Sequence, residues 1–135
     1  MRIRIAKELE LLKKYYIDVE HQEVGTDDWF LIPSYPLPEG WSVSCDKPAF
    51  VKVAFSVSAG HPGTEPYGFL VPLGISYNGV PPNNGGAPPK APPFPGEWFH
   101  FSWSPGNWCP TADVAAGSNL QAWARSFISR LKEGV

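Results

Sequence analysis

Two cysteines and three histidines carry most of the nucleophilic and ligand chemistry of this chain. Cys109 lies in "WFHFSWSPGNWCPTAD", residues 98 to 113, a stretch that also holds three of the six tryptophans. Pro110 restricts Cys109 to extended backbone, and Gly106 with Asn107 permits a tight turn just upstream. A thiol so placed is either a nucleophile offered to a large partner or a small hydrophobe filling a gap. Cys45, in "WSVSCDKPAF", leads into an apolar run and reads as a small buried or edge residue. His100 stands nine residues before Cys109, and a Cys–His pair is one route to an activated thiolate. Spacing does not place the two within reach, and its alternation with Phe99 and Phe101 reads instead as a solvent-facing histidine on a short strand. Asp113, four residues after Cys109, could position an incoming amine or accept its proton, or serve as a turn or cap residue before a helix.

Other chemistries find little support. No pair among His21, His61, His100 and the two cysteines has the spacing of a zinc site, so no metal is expected. No glycine-rich loop follows a strand and opens a helix, and "GVPPNNGGAPP" is rich in proline, which lacks the N–H donors a phosphate cradle needs. No cofactor is expected. Asp27 and Asp28, in "GTDD", read as turn residues bonded to their own backbone, and His61, in "AGHPGTEP", as part of a turn.

Composition narrows the classes further. At 135 residues and 14.9 kDa the chain is long enough for one domain, residues 1–135, with a core that needs no disulfide or metal. Charged residues are 18% and the net charge is −2, so a basic surface for nucleic acid is not expected. "MRIRIAKELELLKKYY" carries charges throughout and reads as neither signal peptide nor membrane span, which points to a cytoplasmic protein with two free thiols and no membrane partner.

The elements that must position these residues follow from periodicity. Ile5, Leu9, Leu12 and Tyr16 recur at helical spacing, with Lys7, Glu8, Lys13 and Lys14 largely on the other side. "IDVEHQEV", "GTDD" and "WFLI" read as a hairpin, and three prolines in "PSYPLPEG" predict a loop after it. In "FVKVAFSVS", Val51, Val53, Phe55 and Val57 face one way and Lys52, Ser56 and Ser58 a solvated side. "YGFLV" is a fourth strand. Residues 78–96 carry seven of the sixteen prolines and form either a packed, function-bearing loop or a mobile spacer. Leu120, Trp123, Phe127 and Leu131 then predict a closing amphipathic helix, with Ser118 as N-cap and Gly134 as its stop. The expected class is α+β: helix, antiparallel four-stranded meander, long proline-rich crossing, cysteine segment, helix.

The blocks "FLIPSYPLPEGW", "FVKVAFSVSAGHPGTEPYGFLV" and "GEWFHFSWSPGNWCPTAD", followed by the last helix, resemble the bacterial proteins called prokaryotic ubiquitin-conjugating family E, over residues 5 to 133. That family looks like a divergent branch of the ubiquitin-conjugating (UBC-like) superfamily. The resemblance implies the UBC-like fold and an acyl relay in which Cys109 accepts a ubiquitin-like protein as a thioester from an ATP-dependent activating enzyme. It also implies a deconjugating metalloprotease in the same pathway. In eukaryotic relatives a His-Pro-Asn motif precedes the cysteine by about ten residues. Here His100 is followed by Phe101 and Ser102, so the amide that would polarise the acyl oxygen is displaced, and Asn107 is the candidate substitute. Two rival readings are a non-catalytic UBC-like scaffold and, from the abundance of tryptophan, a carbohydrate-binding module.

Overall fold

A computed structural model of the chain describes residues 2–83, 85–104 and 106–134. Its class is α+β. The elements run α1 (Ile3–Tyr15), β1 (Glu20–Val24), β2 (Asp27–Pro36), β3 (Trp41–Val43), β4 (Phe50–Val57), β5 (Phe69–Pro72), β6 (Ile75–Tyr77), β7 (Gly85–Gly86), β8 (Trp98–Phe101) and α2 (Leu120–Glu133). The meander β1-β2-β4-β5 is antiparallel throughout, as the alternation predicts. It is longer than expected: β8 pairs with β5, and β7 with β8, making six strands, while β3 and β6 form a separate pair.

Both helices cover one face of this sheet. Ile5 and Leu12 of α1 and Leu120, Trp123, Phe127 and Leu131 of α2 are buried against Phe30, Val53, Phe55, Phe69 and Phe101. Phe69 stacks on Phe127 at a centroid distance of 4.2 Å. Tyr35 and Trp41 fasten α2 further by donating hydrogen bonds of 2.6 and 2.7 Å to the carbonyls of Ala124 and Leu131.

Four sequence expectations are corrected. The strand read as ending before "PSYPLPEG" continues to Pro36; a register shift between Ile32 and Tyr35 absorbs the first proline, which cannot donate to a ladder. Asp27 and Asp28 are strand residues, because Gly25, at φ 62, and Thr26 make the hairpin turn. The supposedly solvated face of β4 is partly covered: Ala54 lies in a second apolar cluster with Trp29, Leu31, Leu70, Phe94 and Trp98. Phe94 comes from the proline-rich stretch, so that part of it is packed. The N-cap of α2 is Asn119, whose side chain accepts from Ala122 N–H at 2.8 Å, and Ser118 is released for another partner. Gly134 stops α2 as expected, at φ 78.

Candidate functional site

Cys109 is exposed, at the start of a closed loop built by its own backbone. Its N–H donates to Ser118 Oγ at 2.8 Å, and its carbonyl accepts from Ser118 N–H at 2.9 Å. The next pair inward, Pro110 and Gly117, forms a bridge. Gly117 is at φ 72, and a Cβ there would lie 2.6 Å from the Cys109 carbonyl oxygen, so only glycine lets the two arms approach. Inside the loop Thr111 Oγ1 lies 2.8 Å from the carbonyl oxygens of both Asp113 and Ala116, which share its single O–H donor. Asp113 takes the turn alternative: its Oδ1 accepts from Ala115 N–H at 3.0 Å.

The loop is held from outside by residues that the sequence reading passed over. Arg4 donates to the carbonyls of Thr111 and, at 3.4 Å, Ser118. The same guanidinium reaches Glu8 Oε2 at 3.2 Å. Glu8, read as a polar-face residue, is fully buried. It bonds His61 Nε2 and accepts from Leu120 N–H at 2.6 Å, at the first turn of α2. Burial alone would raise its pKa, but the His61 contact, the Leu120 amide and Arg4 outweigh it and hold the carboxyl below its ordinary value. One signal could have revealed it: Ile5, Glu8 and Leu12 are three and four residues apart, which places Glu8 on the apolar stripe.

His61 is also buried, inside the turn where it was expected. Its ring lies 5.9 Å from that of Trp108, and Trp108 Nε1–H donates to the Pro62 carbonyl at 2.6 Å. Thus the residue just before Cys109 is anchored on the β4–β5 connection.

The other candidates are not gathered with Cys109. Phe101 beside His100 joins the helix-side core, while Trp98 joins the opposite cluster; alternation therefore puts His100 on the sheet face away from the helices. There, half-buried, it lines a pocket of about 250 Å³ with Trp29, Ser56, Tyr67, Leu70 and Lys90. Burial pushes its imidazole below the usual histidine range, against an opposing hydrogen bond to the Tyr67 backbone. Asn107 is exposed at φ 57 next to Gly106 at φ 78, so the predicted tight turn is present. Cys45 is a correction: it is exposed in a turn at φ 73, not buried, because Val43 and Asp46 exchange backbone hydrogen bonds around it.

Two further features bear on function. His21, Glu23 and Asp28 place donor atoms within 4.8 Å of one another, but His21 and Arg2 already engage the two Asp28 oxygens at 2.8 and 3.4 Å. Of the six tryptophans, Trp29, Trp41, Trp98 and Trp123 are buried, and Trp103 and Trp108 are half-buried with their indole N–H groups bonded to Ser126 and Pro62. The exposed aromatic platform that sugar stacking requires is not formed by these side chains. No helix among the described residues is long and apolar enough to cross a membrane. Compared with protein-family models, curated proteins and solved structures, the chain matches none of them.

Proposed function

We propose that this protein is a ubiquitin-conjugating-type acyl carrier whose acceptor is Cys109. The observation that carries the reading is an exposed thiol whose own N–H and C=O are both pinned, so that the side chain is offered outward from a fixed backbone. The order of elements lends support at a coarser level: a helix, an antiparallel sheet that opens with the meander β1-β2-β4-β5 and continues through β8 and β7, an irregular cysteine segment and a helix.

In the reaction, the Cys109 thiolate attacks the thioester carbonyl by which a ubiquitin-like protein is held on the activating enzyme. A new C–S bond forms to Cys109, the old one breaks, and the departing thiolate takes up the proton that Cys109 gave. The two thioesters are nearly equal in energy, so the acyl group stays activated. An acceptor amine or hydroxyl then attacks it. ATP is consumed by the activating enzyme alone, and no cofactor is required of this chain.

A non-catalytic scaffold is the second reading. It is favoured by one observation: among the described residues no histidine or amide side chain is hydrogen-bonded to the Cys109 thiol, and His100 faces the far side of the sheet. One experiment separates the two. The protein is incubated with ATP, a charged activating enzyme and its ubiquitin-like protein, then resolved without reductant. The expected product contains one ubiquitin-like unit, disappears with a thiol reductant, and is lost in Cys109→Ala but retained in Cys45→Ala. Binding without an adduct, while the activating enzyme itself charges, would leave the scaffold.

A further inference from the structure

Three independent tethers hold the Cys109 loop, and all three converge on one buried carboxylate. The first runs back along the chain: Trp108 packs on His61, and His61 bonds Glu8. The second runs through Arg4, which bonds Glu8 at 3.2 Å and the Thr111 and Ser118 carbonyls. The third runs through the start of α2: Glu8 accepts the Leu120 N–H at 2.6 Å, two residues after the Ser118 that grips Cys109. A carboxylate at a helix N-terminus also meets the positive end of the helix dipole.

A fully buried charge is costly unless it is paired and hydrogen-bonded on all sides, and an apolar residue at this place on the α1 stripe would serve packing better. Packing alone therefore gives no reason for a carboxylate here. What a carboxylate supplies, and leucine cannot, is simultaneous acceptance from three donors on three segments. His61 Nδ1, buried and without a hydrogen-bond partner among the described residues, shows that the cluster is satisfied toward Glu8 and not around it.

We propose that Glu8 is the positioning residue for Cys109: it fixes the backbone of the thiol-bearing loop through His61, Arg4 and Leu120 without touching the reacting atoms. This rests on the reading of Cys109 as the acyl acceptor. The test measures the loop and the reaction separately, in Glu8→Gln, which keeps the volume but not the charge, and in Arg4→Ala, which cuts one tether and leaves Glu8 and His61 in place. Hydrogen exchange by mass spectrometry should accelerate in the peptide spanning residues 106–119 and stay unchanged in peptides from β2 and β4. Thioester formation should lose roughly 10–100-fold in kcat with KM for the charged activating enzyme retained, since a misplaced nucleophile weakens the reaction and not the encounter. A purely structural role would instead raise exchange throughout the molecule. Such a global rise in a still-folded variant overturns the proposal, as does unchanged exchange in residues 106–119, or faster exchange there with kcat intact. If Glu8→Gln does not fold, Arg4→Ala decides by the same criteria. If the wild-type protein never charges, the acyl reading fails by itself, and local exchange in the two variants still decides whether Glu8 holds the loop.

Discussion

Gly117→Ala is the sharpest perturbation of the cysteine loop, because its cost can be separated into two parts. An alanine at φ 72 occupies left-handed backbone, which costs about 1–2 kcal/mol. Its Cβ would also lie 2.6 Å from the Cys109 carbonyl oxygen and 2.7 Å from Thr111 Cγ2, contacts that cannot persist. Relief requires the arms to part, which breaks the paired Cys109–Ser118 hydrogen bonds at a net cost of about 0.5–1.5 kcal/mol each. Gly25→Ala supplies the comparison: φ is 62, and nothing stands within 4 Å of the added carbon, so only the backbone part applies. Urea denaturation followed by circular dichroism should therefore show Gly117→Ala less stable than Gly25→Ala by about 1–3 kcal/mol. Opening the loop limits the loss, since a chain with this loop undone retains its sheet and both helices. Amide exchange should localise the damage to Cys109 and Ser118. Equal stabilities for the two variants, with exchange at Cys109 unaltered, would refute the closed loop described above.

Two more expectations follow from burial and exposure. Because the folded-state pKa of Glu8 is held below its ordinary value of 4.5, its contribution is fully present above that value and is lost as pH falls through the folded pKa. The stability difference between wild type and Glu8→Gln should then shrink in urea titrations carried from pH 7 toward pH 3; a gap that widens on acidification would reverse the assignment. Both thiols are exposed, so a small maleimide should label Cys45 and Cys109 in the native protein without denaturant, each confirmed by peptide mass. Slow labelling of either, accelerated only by urea, would contradict its placement.

Much of the frame was legible because it rests on local periodicity. Ile5 and Leu12, the alternation from Val51 to Val57, and the stripe from Leu120 to Leu131 each declare one buried face, and all are buried on the helix side of the sheet. The short strands were not legible in the same way. Residues 85–86 pair with β8, and 41–43 with 75–77, through contacts between distant segments that no local pattern encodes. The second face of the sheet escaped for a related reason: Phe94 stands among prolines that signal an irregular crossing, and its burial depends on Trp29, Leu31 and Trp98 being assembled first. At the site, the turn at residues 106–107 and the isolation of Cys109 between tryptophan and proline could be read directly. The support could not. A glutamate on a helix is ordinarily solvated, and only the positions of Ile5 and Leu12 around Glu8 reveal that this one points inward.

The tethers on the cysteine loop have a consequence for the order in which the molecule can be completed. The bonds from Arg4 and Glu8 to Ser118 and Leu120 join residues separated by 114 and 112 positions, almost the full length of the chain. Contacts of such separation require the intervening segments to be arranged before their own enthalpy is realised. A chain emerging from the ribosome displays α1 and the meander well before residue 118 exists to be gripped. During that interval Cys109, once synthesised, is an ordinary thiol on an unshaped strand of polypeptide. Joining of residues 4 and 8 to residues 118 and 120 gives its backbone a fixed place, so a shaped loop at Cys109 reports that these distant segments have met.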